Sequence, residues 1–383
     1  MYKKEAVELK LIHTSDWHFG MSVGTATYED DQRYFLEQMY DLIQREKVEA
    51  VLCSGDVYDS SVTNADAIRL FNEVATKLCL QLGTKFIVIA GNHDSAARLA
   101  ACRELLRASG MYVTGRLERD PAPVLLDGGK VAVYSLPFFG RDEVTALYPE
   151  KAEQIRSTET AMQVVCDNIR ERMDKNCCNI LLSHSLIVDA EISESDRSAR
   201  VGYATAISKD VFNGFDYVAL GHIHKPQIIA PHIRYSGSPV KYSFGKEETQ
   251  DKGVVLVDTD TMEQRFVPFQ PLRDRKTVEG TYEELIKRTD LQGDYLRLRV
   301  TDRFAGLELQ AEMRQRFPYL LEISGMSLQE NETAAALTVE ALQEMDETDI
   351  MLQFFGEHFE YTPTPEQLEL FRDVLAWSEE EKK

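Results

Sequence analysis

Six apolar, β-type runs between residues 8 and about 220, each ending in a polar cluster, constrain this chain more than any other feature of its 383 residues. They lie at 9–13, 50–54, 85–90, 131–136, 179–183 and 217–220, and helix-length segments fall at 28–47, 64–82, 95–108 and 150–175. That alternation predicts an α/β domain. From 226 to 270 the pattern changes to short runs at 227–230, 233–235, 253–258 and 263–267, separated by turn signals and expected to complete the same domain with antiparallel strands. Past residue 271, strand-like runs alternate with helices expected at 282–289 and 306–316, which reads as a small α+β module. Two further helix-length segments, 335–359 and 364–381, are separated by Pro363 and Pro365, which stop one helix and restart another. The expected domains are therefore 1–270, 271–328 and 329–383.

The polar clusters just past the strand ends carry the chemistry, since ligand sites in open α/β sheets form at those ends. The first run leads into Asp16 and His18, the second into Asp56 and Asp59, and the third into Asn92, His93 and Asp94. Two later runs lead into His184 and into His222 with His224. In an extended segment residues i and i+2 face the same side, so Asp16 with His18, and His222 with His224, can each present two ligands to one region. A lone histidine is ordinarily a surface or hydrogen-bonded residue, and a Gly-Asp pair is ordinarily a turn. Convergence argues otherwise here. Five of the six strand ends deliver Asp, Asn or His, and six of the eight histidines lie in or beside these clusters. The sixth of them, His13, precedes its strand end and is expected to be structural.

Imidazoles mixed with carboxylates and one amide, with no thiolate, suit Mn, Fe, Co, Zn or Ni better than Ca or Mg alone. Seven such ligands exceed the needs of one ion. Two ions roughly 3.5–4 Å apart, bridged by a carboxylate, would use them all and would promote in-line attack on phosphorus. Asp56, central among the clusters, is the expected bridge.

The ordered set D-x-H, G-D-x-x-D, G-N-H-D, H and G-H-x-H resembles the calcineurin-like binuclear metallophosphoesterases. Residues 14–20 (TSDWHFG), 54–59 (SGDVYD), 90–95 (AGNHDS) and 221–227 (GHIHKPQ), with Tyr235-Ser-Gly-Ser-Pro239, Tyr242-Ser-Phe244 and Lys252-Gly253, resemble more narrowly the nuclease subunits of bacterial double-strand-break repair complexes. This resemblance implies a metallophosphoesterase β-sandwich flanked by helices, a capping module at 271–328 and C-terminal helices at 329–383. It implies one metal held by Asp16, His18, Asp56 and His224, and another by Asp56, Asn92, His184 and His222, with Mn2+ the favoured ion. His93 would stabilise the pentavalent phosphorus or protonate the leaving oxygen, Asp94 would orient His93 or cap the following helix, and Asp59 would be a further catalytic side chain. The implied activity is 3′–5′ exonuclease and single-strand endonuclease cleavage at duplex DNA ends and hairpins. The implied partner is an ABC/SMC-type coiled-coil ATPase clasped by the terminal helices, with a homodimer of this chain inside a heterotetramer. A different phosphatase or cyclic-nucleotide phosphodiesterase, and a scaffold subunit that only anchors the ATPase, are the alternatives.

With 43 basic and 64 acidic residues the chain carries a formal charge of −21, which would ordinarily argue against a polyanionic substrate. Most of the excess is local. Residues 321–383 hold 3 basic and 16 acidic residues, and two divalent ions would offset part of the remainder. The acidic tail is expected to meet a basic or apolar partner surface. Six scattered cysteines fit neither a disulfide framework nor a CxxC clip. Neither a membrane-length apolar run nor a signal-peptide pattern is present, so a cytoplasmic location is expected.

Overall fold

A computed structural model describes residues 9–23, 26–196 and 206–326, together with 364, 367 and 368. The expected ATPase-binding segment at 329–383 therefore lies outside the described residues, apart from those last three. Residues 1–326 form one compact unit and 327–383 a second.

Two six-stranded sheets make the body of the first unit. In the first sheet β1 (Lys10–Thr14), β4 (Ala50–Cys53), β5 (Lys85–Ile89) and β6 (Met111–Thr114) run parallel in that order. Beside β1 lie β13 (Lys252–Asp258) and then β14 (Gln264–Phe269), both antiparallel to their neighbours. The second sheet repeats the plan, with β8 (Val131–Leu136), β9 (Cys178–His184), β10 (Tyr217–Gly221) and β12 (Ile233–Tyr235) parallel. Its edges, β7 (Val124–Leu126) and β11 (Gln227–Ala230), are antiparallel. The 226–270 region thus completes both sheets of the same domain, as expected with antiparallel strands except for β12, which runs parallel to β10. A two-residue-per-strand hairpin, β2 (Ser22–Val23) with β3 (Ala26–Thr27), follows the first site loop.

Strict alternation explains the layering, because successive residues of a strand face opposite sides. Leu11, Ala50, Leu52, Ile87 and Ile89 point inward and meet Val133, Ile180, Leu182, Tyr217 and Ala219 of the second sheet. Their neighbours Ile12, Val51, Cys53, Phe86 and Val88 point outward against the helices α1 (Glu29–Glu46) and α2 (Ala65–Thr76). Burial on both faces accounts for the near-continuous apolar runs of the parallel strands.

Helix ends follow local chemistry. Three acids in the first turn favour the start of α1, and Lys47 in the left-handed region ends it. The segment expected at 64–82 is α-helical only to Thr76 and closes in a π turn, Lys77–Gln81. The segment expected at 95–108 is two short helices, α3 (Ala96–Leu99) and α4 (Arg103–Arg107), broken where Cys102 adopts φ 59°. Past α5 (Arg141–Leu147), α6 (Thr158–Arg170) begins eight residues later than expected, because Ser157 and Thr160 form a capping box there.

His13, on the inward face of β1, reaches across the sandwich to the opposite sheet. Its Nδ1 lies 2.7 Å from Tyr217 Oη and its Nε2 3.1 Å from the Leu220 carbonyl. Burial, reinforced by Arg234, lowers its pKa to about 3. The unfolded chain, with His near 6.5, then binds the extra proton first as pH falls, so this contribution is complete above about pH 6.5 and is lost at about 1.4 kcal/mol per pH unit below it. Between pH 6.5 and 5 the native chain should lose roughly 2 kcal/mol more unfolding free energy than His13→Gln. Urea titrations at pH 7 and pH 5 measure this difference; equal losses would mean that His13 is protonated in the folded state.

The small module holds β15 (Arg275–Gly280), α7 (Tyr282–Ile286), β16 (Tyr295–Val300), α8 (Leu307–Arg316) and β17 (Leu320–Ser324). Its three strands are all parallel, because each connection runs through a helix, so the expected α+β module is in detail a β-α-β-α-β unit. Leu285, Leu296, Leu298, Met313 and Phe317 give it its own core. Three tyrosines, Tyr28, Tyr242 and Tyr295, are buried together where it meets the body. There Asp31 accepts hydrogen bonds from Arg273 and Tyr295, each at 2.7 Å.

Candidate metal centre

All the expected ligands come together at the C-terminal edges of the two sheets. Asp16 and His18 follow β1, Asp56 follows β4 and Asn92 follows β5, all from the first sheet; His184 ends β9, and His222 and His224 follow β10, from the second. Asp16, His18, Asp56 and His222 all have positive φ, at 55°, 48°, 50° and 100°. Such backbone is costly for residues with side chains and persists where the surroundings impose it, commonly at functional sites. The glycines before Asn92 and His222 have a steric reason. A Cβ on Gly91 would lie 2.1 Å from Asp56 Oδ1, and one on Gly221 would lie 2.0 Å from the Ser54 carbonyl.

The donors form two groups. In one, His18 Nε2 and His224 Nε2 approach to 3.1 Å, and Asp16 joins them. In the other, Asn92 Oδ1 lies 3.0 Å from His184 Nε2 and 2.9 Å from His222 Nδ1, with the two imidazole nitrogens 3.3 Å apart. His184 Nδ1 lies 2.8 Å from the Ser54 carbonyl, which can only accept, so a proton sits on Nδ1 and Nε2 is the nitrogen whose lone pair the neutral ring would offer to the site. Asp56 stands between the groups: Oδ2 is 3.3 Å from His184 Nε2 and 3.9 Å from His18 Nε2, while Oδ1 accepts the His93 amide at 2.9 Å. His18 Nδ1 is buried without a hydrogen-bond partner, 3.4 Å from Asp59 Oδ1.

The electrostatics call for positive charge. Burial opposes charging His184 and His224, yet the first is pushed up to about 9 by Asp56, and the second to about 9 by Asp196 and Glu247. His222 goes the other way, lowered to about 3 by burial and by the neighbouring His184. A divalent cation supplies the missing charge without a proton, so its binding would release protons from His184 and His224. Converging lone pairs, buried carboxylates and imidazole-rich donors fit borderline divalent metals.

The three remaining expected residues lie beside the donors. His93 packs edge-on against His18, with centroids 4.9 Å apart, and its Nδ1 lies 2.8 Å from the Asp59 carbonyl. Asp59 thus meets His93 through its backbone and His18 through its side chain. Asp94, expected to orient His93 or cap the next helix, is engaged elsewhere. Its carboxylate accepts from the amides of Val57, Tyr58 and Gly91 at 3.1, 2.9 and 2.9 Å, bracing the Asp56 loop against the Asn92 loop. Burial and the charge on Asp56 raise it to about 6.

Several residues around His224 carry no signal of their role in the sequence. Ser195, Asp196, Glu247 and Lys252 surround its Nδ1 and backbone. Glu247 lies in the polar run GKEETQ, which reads as an ordinary loop, and only the nearby Tyr242-Ser-Phe244 and Lys252-Gly253 segments mark the region. The adjacent Glu248 faces away and accepts from Thr277 N and Oγ1 of β15, both at 2.7 Å.

Two facing sheets whose C-terminal edges bring Asp, Asn and His together into paired donor groups define a metal-dependent phosphoesterase. The chain belongs to the calcineurin-like phosphoesterase family, whose profile matches residues 9–226, and to its SbcD branch. It is 31% identical over 360 residues to the SbcD nuclease of the Staphylococcus saprophyticus SbcCD complex, covering 91% of this chain and 94% of that protein. It is 29% identical over 354 residues to the SbcD nuclease of the Staphylococcus epidermidis SbcCD complex, covering 91% and 92%. Residues 268–359 match a second profile, described as the type 5 capsule protein repressor C-terminal domain.

Proposed function

We propose that this chain is the metal-dependent DNA nuclease subunit of an SbcCD-type complex, hydrolysing phosphodiester bonds at duplex ends and hairpins. The observation that carries the reading is the meeting of two donor groups at Asp56 with His93 at their edge; the extent of the match to two SbcD nucleases adds the substrate class. Asp16, His18, Asp56 and His224 would hold one divalent ion, and Asp56, Asn92, His184 and His222 another, with Mn2+ the favoured metal. Ions bound there would polarise a phosphoryl oxygen and lower the pKa of a water.

The chain's own residues do the rest. Asp56, fixed by the His93 amide, keeps one oxygen toward both donor groups. His93, held at Nδ1 by the Asp59 carbonyl, has Nε2 left to protonate the departing oxygen or to stabilise charge on phosphorus. Asp94 keeps the loops bearing Asp56 and Asn92 in register. The module at 271–328 would restrict which DNA ends reach the site, and the segment 329–383 would bind an SbcC-like coiled-coil ATPase, two copies of each chain forming the complex. No helix among the described residues is long and apolar enough to cross a membrane, in keeping with a cytoplasmic enzyme.

The test is reconstitution. The purified chain should co-elute with an SbcC-like ATPase, and the complex should cut a DNA hairpin only with Mn2+ and ATP present. Rapid turnover of small phosphoesters with no DNA cleavage would sink the nuclease reading in favour of a phosphatase. ATPase binding with neither activity would leave a scaffold.

A further inference from the structure

His224 has one nitrogen in the site and the other in a buried chain of hydrogen bonds. Its Nδ1 lies 2.8 Å from Ser195 Oγ, and Ser195 Oγ donates to Glu247 Oε1 at 2.5 Å. A carboxylate cannot donate, so the serine proton must point at Glu247 and the serine must accept from His224 Nδ1–H. That direction fixes the neutral ring's proton on Nδ1, so Nε2, facing His18, is the nitrogen whose lone pair a metal would take once its own proton has left. Glu247 is fully buried, and its second oxygen accepts from the amides of Tyr242 and Ser243 at 2.7 and 3.0 Å. Both Glu247 Oε1 and Asp196 Oδ1 lie 3.7 Å from His224 Nδ1, placing negative charge behind that ring. Among the described residues, His184 has the neutral Ser54 carbonyl in the equivalent place. The two donor groups are thus unequally supported.

We propose that Glu247 is a positioning residue for the metal site: acting through Ser195, it sets the tautomer of His224 and strengthens the ion position shared by Asp16, His18 and His224, while leaving the position at Asn92, His184 and His222 unaffected. The inference rests on the divalent-metal part of the proposed function and not on DNA as substrate.

Glu247→Gln tests it. The Gln carbonyl can keep the two amide bonds, which turns its NH2 toward Ser195 and reverses the chain. Ser195 then donates to His224 Nδ1, and Nε2 carries the proton. Mn2+ titration of the full-length chain, followed by calorimetry and by the electron paramagnetic resonance of free Mn2+, should show two sites in the native protein. In Glu247→Gln one of them should weaken by roughly 10–100-fold, the usual scale for a group that orients a metal-bound histidine. Asn92→Ala should weaken the other site. Ser195→Ala, which breaks the chain without reversing it, should weaken the first site less than Glu247→Gln does. Unchanged Mn2+ affinities in both Glu247→Gln and Ser195→Ala would overturn the proposal. So would equal loss of both sites with a lowered unfolding temperature, which would mark Glu247 as merely structural, and so would a native chain that binds no Mn2+. Because the readout is metal binding, a chain that binds two ions but cuts no DNA would refute the nuclease reading and leave this one standing.

Discussion

Asp56→Asn should reduce DNA cleavage by at least ~10³-fold, on the scale of several kcal/mol for a lost Lewis acid at 1.36 kcal/mol per tenfold. Asp56 lies within 4 Å of an imidazole nitrogen from each donor group, at 3.3 Å from His184 and 3.9 Å from His18. The substitution is nearly isosteric, and the Asn carbonyl can still accept the His93 amide now bonded at 2.9 Å. What disappears is the charge, and with it the attraction for cations in both groups at once. Metal analysis after dialysis should therefore show loss at both positions and not one. Stability responds to two opposed effects. Asp94 is held near 6 partly by the charge on Asp56, so removing that charge relieves a buried repulsion. The same charge, however, holds His184 up at about 9 and is itself favoured by that imidazole, so on balance the variant should melt below the native chain in chelator. Retention of both ions, or cleavage within tenfold of native, would contradict the bridging role.

His93→Ala should cost cleavage 10²–10⁴-fold, the span of a single general acid or base, with both ions retained. Its Nδ1 meets the Asp59 carbonyl and its ring packs edge-on against His18, and it is not among the residues proposed to hold the ions. Leaving-group chemistry separates its two possible roles. With bis(p-nitrophenyl) phosphate the departing phenolate needs no proton, so a residue that acts only as an acid should lose most of its effect. A loss as large as on DNA would assign His93 to charge stabilisation at phosphorus. Normal cutting of DNA by the variant would remove His93 from the mechanism altogether.

The donor set is legible because strands and ligands are coupled in the sequence: each parallel strand is an apolar run, and its C-terminal end is where the run stops. Asp16, His18, Asp56, Asn92, His184, His222 and His224 sit at such stops, and the structure gathers them. Residues whose roles depend on partners far along the chain leave no local trace. Glu247 and Glu248 are neighbours of one type in one polar turn, yet one is buried behind His224 and the other binds the β15 strand; only the fold distinguishes them. Asp94 lies in a recognisable motif, but its three amide donors come from two loops, one of them some 36 residues away. Helices read from the sequence are too long where ends depend on caps and breaks, as at Ser157 and Cys102, and the short β6 and β7 edges carry too few residues to show a period.

The split origin of the donors has a consequence for the life of the chain as it is made. Synthesis proceeds from the N-terminus, and Asn92 precedes its neighbour His184 by 92 residues. A nascent or half-folded chain holds Asp16, His18, Asp56 and Asn92 on one sheet with nothing opposite them. On the proposed ligand assignment, neither ion position would be complete until the second sheet had formed and closed over the first. A cutting activity that would be hazardous loose in a cell would thereby wait on long-range contacts between the two sheets: an unfinished molecule is a harmless one.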